Sequence, residues 1–201
     1  MNPLPNRLSK TIHALVPIIA CLSACLSACL CVSPAWAVPA RALNPDTKFV
    51  ADSQKTNTYR TSGVFDGGDA AYKEIEVSRI QFAGNISTAG KKRGFERMVL
   101  EVDGRTEGQT LATKEPPYFH VSLEPEMHQV VVTVFGKTDL SFDRGKITKE
   151  FGKSTVIGSV ELPQPVLHDR WSMVLHLKKK TRVEVFKLTH PSRIIVDLEA
   201  R

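Results

Sequence analysis

From Ile75 onward apolar and polar positions alternate with a period of two. Met98, Leu100 and Val102 alternate with Val99, Glu101 and Asp103, and Phe119, Val121 and Leu123 with His120, Ser122 and Glu124. Trp171, Met173, Leu175 and Leu177 form one face, opposite Ser172, Val174, His176 and Lys178. Gln129 to Phe135 is a β-branched run suited to a central strand; Val156, Val160 and Leu162 share one parity. Val183 to Leu188 and Ile194 to Leu198 complete the set. Short runs of this kind, broken by Gly, Pro and charged residues, predict strands. No amphipathic helix stands out after residue 37. The connections are too short for helical crossovers, which predicts antiparallel pairing. Asp103-Gly104 and Lys178-Lys179-Lys180-Thr181 read as hairpin turns. Residues 74–201 are therefore expected to form an all-β fold, an antiparallel β-sandwich of roughly eight to ten strands.

The pattern weakens toward the amino terminus. Residues 38–73 carry Asn44-Pro45-Asp46, a polar run from Asp52 to Thr58, and Gly67-Gly68-Asp69, with isolated aromatic residues between them. This composition predicts a flexible linker, although short strands around Phe49 and Val64 would fit. Residues 1–37 read as a signal peptide. Arg7 and Lys10 precede an uncharged stretch from Thr11 to Val32, and Ala35-Trp36-Ala37 offers a cleavage site. Two rival readings exist: lipidation at Cys25 or Cys29, each preceded by Leu-Ser-Ala, and an uncleaved membrane anchor. All three predict an exported, periplasmic or envelope-associated domain, with membrane attachment only in the last two.

Composition sharpens this picture in two ways. The four cysteines, Cys21, Cys25, Cys29 and Cys31, all precede residue 37, so the expected mature chain has no disulfide, thiolate nucleophile or cysteine-bound metal. The net charge of +6 includes only Arg7 and Lys10 from the leader. The remaining basicity is a weak attraction to anions, and neither it nor the aromatic pattern points to nucleic acid.

A short repeat is visible. Arg97-Met98-Val99-Leu100-Glu101-Val102 matches Arg193-Ile194-Ile195-Val196-Asp197-Leu198 position by position, which raises a reading of two similar halves. Within each copy the arginine and the acid share a face, but about 13 Å of strand separates them, so neither can pair within its own copy. Each needs a cross-strand or loop partner, obligatory if the position is buried.

His190-Pro191-Ser192-Arg193-Ile194-Ile195-Val196-Asp197-Leu198 resembles the closing motif of the AMIN domain family. The strand Arg182-Val183-Glu184-Val185-Phe186-Lys187-Leu188 is similar to the one leading into that motif, and Gly94-Phe95-Glu96-Arg97-Met98-Val99-Leu100-Glu101 to the Gly-aromatic-acid-Arg strand of AMIN-like envelope proteins. The resemblance implies a non-catalytic, extracytoplasmic β-sandwich that targets a partner enzyme or secretin to peptidoglycan.

The sequence contains no Gly-Xaa-Ser-Xaa-Gly elbow, no His-Glu-Xaa-Xaa-His and no phosphate-cradling glycine loop. No enzymatic activity, cofactor or metal is expected. His120 and His128 flank Glu124-Pro125-Glu126 but lack a third convergent ligand, and His168 and His176 share only the same spacing. The candidate ligand-binding residues fall into three groups. Lys178, Lys179, Lys180 and Arg182 form a basic cluster, with Lys91, Lys92 and Arg93 a second; these are solvated turns or an attraction for stem-peptide carboxylates. Trp171 belongs in the core with Tyr118 and Phe186, or stacks on a sugar. Arg97, Glu101, Arg193 and Asp197 either hold the fold or line a shallow ligand face. The expected function is binding of peptidoglycan or a related wall polymer. The alternative is an interaction subunit of a secretion, pilus or division complex, joined through a sheet edge.

Overall fold

The computed structural model describes residues 48–87, 94–105, 115–165 and 169–201. The leader, Cys25 and Cys29, the Lys91-Lys92-Arg93 cluster and His168 lie outside the described residues. Two sheets pack face to face. One is ordered β1 (Lys48–Val50), β2 (Gly63–Gly67), β5 (Phe119–Glu124), β6 (Gln129–Phe135), β9 (Arg170–Leu177) and β8 (Ile157–Glu161). The other is ordered β10 (Thr181–Leu188), β11 (Arg193–Ala200), β4 (Phe95–Arg105), β3 (Glu74–Ile86) and β7 (Lys137–Leu140). The protein is an all-β sandwich. Its core is the inward parity of the two sheets: Met98, Leu100 and Val102 meet Phe119, Val121, Val130, Val132 and Val134, with Met173, Leu175, Val183, Ile194 and Val196 around them. Among the described residues, no helix is long and apolar enough to cross a membrane.

Four expectations are corrected. Residues 48–67, assigned to a linker, carry β1 and β2, and Phe65 enters the core. These strands are only three and five residues long, too short for alternation to register. Second, β1–β2 and β3–β7 pair in parallel. The short-connection argument for antiparallel pairing does not govern strands joined by a long excursion. Third, α1 (Arg144–Phe151) is helical. Asp143 caps it by accepting from the Lys146 N–H at 3.0 Å, but only Ile147 and Phe151 are buried, a stripe too brief to read as a period. Fourth, neither predicted hairpin turn is one. Gly104 lies inside β4, where the Tyr72 ring fills the place a Cβ would occupy. Lys178, Lys179 and Lys180 carry the chain from β9 in one sheet to β10 in the other.

The repeated segments are neighbours in one sheet. β4 and β11 pair antiparallel with Arg97 opposite Asp197 and Arg193 opposite Glu101, a register symmetric about Val99 and Ile195.

Residues 52–60 form a strap between β1 and β2. It leaves the six-stranded sheet and runs along the edge of β10, bridging Phe186 through Asp52 and Val183 through Arg60.

Candidate functional site

The predicted site residues separate into three environments. The first is the outer face of the five-stranded sheet. Register places Glu184, Asp197 and Arg97 in one row across β10, β11 and β4. The Arg97 guanidinium donates through Nε and Nη2 to the two Asp197 oxygens at 2.6 and 2.9 Å. Lys55 descends from the strap onto the same row, donating to Asp197, to Glu184 at 3.1 Å and to Tyr59 at 3.0 Å. Phe95 and Phe186 flank it, each centred 5.3 Å from the Arg97 guanidinium. Asp197 is fully buried and Glu184 is nearly so.

Charges held this far from water must satisfy one another. Burial works to lower the Lys55 ammonium, but the hydrogen bonds to Asp197 and Tyr59 and the Asp197 charge outweigh it and raise the pKa. Burial likewise works to raise Glu184, yet hydrogen bonds from Lys55 and the Thr56 N–H hold its carboxyl below the ordinary range. Two cations and two anions close the row. On either side Arg182 pairs with Glu199 through a 2.9 Å contact, and Arg193 pairs with Glu101 at 3.0 Å. Arg97 is thus paired with Asp197, Arg193 with Glu101 and Arg182 with Glu199, so each of these charges already has a partner on this face. The four-residue spacing of Arg and acid announced the need for cross-strand partners; Lys55, lying in a polar run, carried no such signal.

The second environment is the core. Trp171 is 2% exposed and donates its indole N–H to the Pro163 carbonyl at 2.8 Å, so it cannot stack on a sugar. Of its expected companions, Phe186 is buried beneath the strap on an outer face, and Tyr118 is half-exposed on the opposite sheet.

The third environment gathers the remaining lysines. The β9–β10 crossover forms one wall of a cleft of about 300 Å³ lined by Lys179, Lys180, Thr181, Arg201, His128, Thr61 and Ser62. Lys178 points elsewhere and donates to the Ser154 carbonyl at 2.7 Å. Among the described residues no carboxylate pairs with Lys179 or Lys180. Among the described residues that line it, the cleft presents cations and hydroxyls beside Leu123, Pro125 and Leu177, and no Asp or Glu side chain. His128 reaches it from the β5–β6 turn, whereas His120 points outward from β5, eight residues away and on another surface. Among the described residues no group of three or more His, Cys, Asp and Glu side chains is placed to hold a metal ion.

The outer face of the six-stranded sheet was not singled out by sequence. One row across β2, β5, β6 and β9 holds Asp66, His120, Thr133 and Ser172. His120 Nε2 lies 2.8 Å from the Tyr118 hydroxyl and 3.2 Å from Asp66 Oδ1. Burial, outweighing the attraction of Asp66, pushes the imidazole pKa below 6.5, and Lys48 adds to the depression. The folded state therefore binds the proton less readily than the unfolded chain. This stabilising contribution is complete above pH 6.5 and is lost as pH falls through the lowered folded value. Urea midpoints measured between pH 7 and pH 5 should decline on acidification, and His120→Gln should flatten that decline. Parallel profiles for the two proteins would show that His120 does not carry it.

Comparison of the chain with protein-family models, curated proteins and solved structures finds no match.

Proposed function

We propose that the protein is a non-catalytic, exported envelope module that binds peptidoglycan or a related anionic wall polymer. The observation that carries this reading is the pair Lys179 and Lys180, without carboxylate partners among the described residues, in a cleft that also offers the Thr61 and Ser62 hydroxyls. Carboxylates of stem peptides match that surface in charge and in hydrogen-bonding capacity. The leader-like amino terminus and the AMIN-like Arg-aliphatic-Asp strand support the wall as its source.

Co-sedimentation with purified sacculi tests it. The protein should pellet at low salt and be released as the ionic strength rises, because contacts to mobile lysines are screened within about 10 Å at 0.1 M salt. Lys179→Glu with Lys180→Glu should reduce the bound fraction about tenfold by reversing the local field. Failure of the wild-type protein to pellet at low salt would sink the proposal.

A second reading, an adaptor of an envelope complex, is favoured by one feature. β1 ends the six-stranded sheet, and its Val50 is 81% exposed, which offers a strand edge and an apolar contact to a partner. Capture of one envelope protein, abolished by Val50→Lys, together with no affinity for sacculi, would select it.

A further inference from the structure

We infer that the outer face of the six-stranded sheet is a second subsite that takes the uncharged sugar chain of the polymer; this rests on the wall-polymer reading above. The two outer faces of the sandwich differ in kind. That of the five-stranded sheet is closed by ion pairs and covered along one edge by the strap. That of the six-stranded sheet carries two adjacent rows in which neutral side chains lie inside of Asp66 at the end of one row and Arg170 at the end of the other. Tyr118 lies beside Phe135 on the neighbouring strand, their ring centroids 5.3 Å apart and tilted by 37°, with His120 packed edge-on against Phe135 at 4.7 Å. One row along, His120, Thr133 and Ser172 follow one another across three strands, and the Thr133 and Ser172 hydroxyls are 2.8 Å apart.

The charges on this face are largely spent. His120 lies between Asp66 and the Tyr118 hydroxyl, His176 is 2.6 Å from Glu161, and Glu124 accepts from Gln129 at 2.7 Å. Arg170, at the end of the aromatic row, is the cation left over among the described residues of these two rows. A highly charged ligand would find little here, whereas a polyhydroxylated one finds ring faces beside hydroxyls and an imidazole that exchange hydrogen bonds with it. Strands repeat at about 4.8 Å, close to the width of a pyranose, so a linear glycan lying across them presents roughly one sugar to each strand. Rings that are apolar on the face and polar at the tip suit sugars, whose faces are apolar and whose rims carry hydroxyls.

The test is calorimetric titration of the full chain with chitohexaose, a neutral N-acetylglucosamine hexamer, alongside sacculus pelleting. The wild-type protein should bind chitohexaose with little dependence on salt, in contrast to its salt-sensitive pelleting. Tyr118→Ala should weaken chitohexaose binding about tenfold, the scale of one lost ring contact. Thr133→Val keeps the β-branched shape and removes only the hydroxyl; it should weaken binding about threefold with an unchanged melting temperature, which guards against misfolding as the cause. Equal affinity in wild-type, Tyr118→Ala and Thr133→Val proteins would overturn the inference. Pelleting with sacculi but no chitohexaose binding would also overturn it, while leaving the charge-driven wall contact in place. Absence of both would remove the parent reading and this one together.

Discussion

Asp197→Asn should destabilise the domain by about 3–5 kcal/mol, the usual cost of removing one member of a buried charge group and stranding the rest. Asp197 is fully buried and receives both Arg97 and Lys55; without its charge, two cations share Glu184 alone. For a domain of this size the melting temperature should fall by roughly 10 °C. The same motif supplies its own control. Arg193 and Glu101 repeat the pairing near the surface, with side-chain exposures of 33% and 14%. Glu101→Gln should cost only about 0–1 kcal/mol, as exposed ion pairs do. Thermal and urea unfolding of the two variants would check the contrast. If both cost the same, burial does not set the energetics of the row. Replacing Lys55, Arg97 and Asp197 with Met, Met and Leu, together with Glu184→Gln so that no buried charge is left and the Thr56 N–H keeps an acceptor, should recover much of the loss, since neutral contacts have no ionic desolvation cost to offset.

The second large effect is expected at Trp171. Trp171→Ala should cost about 3–5 kcal/mol through lost burial and the cavity left behind. The side chain is among the largest fully enclosed in the core, and its ring packs 6.1 Å from that of Phe142. Trp171→Phe keeps most of the volume and gives up the 2.8 Å hydrogen bond to the Pro163 carbonyl, a loss of about 1 kcal/mol plus packing. Neither polymer affinity nor sacculus pelleting should change in the folded Phe variant. A loss of pelleting without loss of stability would contradict the buried position of the ring.

Strand alternation made most of the sandwich legible, because a core-facing parity is the direct cost of having one wet face and one dry face. Met98, Leu100, Val102, Phe119, Val121, Leu123, Met173 and Leu175 are all in the core, as their parity required. What escaped was everything that depends on partners distant in sequence. β2 is a strand because β5 offers it an edge, β1 because β2 does, and α1 exists because Ile147 and Phe151 find apolar neighbours. Asp103-Gly104 reads as a turn by local propensity, but the approach of Tyr72 makes glycine a packing requirement there. The candidate site was legible in part. The Arg-to-acid spacing correctly demanded outside partners, yet nothing local said that the two copies would satisfy each other. The lysines looked equivalent on the chain; the crossover geometry sends Lys178 to a carbonyl and leaves Lys179 and Lys180 in the cleft.

The strap also sets an order of events in time. Its contacts reach from Lys55 to Asp197 across 142 residues and from Thr56 to Glu184 across 128, so they close some of the largest loops in the chain. As the polypeptide emerges amino end first, residues 52–60 wait without their partners until β10 and β11 have appeared. The exposed edge of β10 is in turn covered only when the strap folds back. Closing such loops is entropically slow, and chains dominated by distant contacts fold in milliseconds to seconds rather than microseconds. Until that step a nascent or refolding chain carries an open strand edge and a Glu184 without the Lys55, Thr56 and Thr58 donors that the strap brings to it. That interval is when another copy has its chance to add a strand.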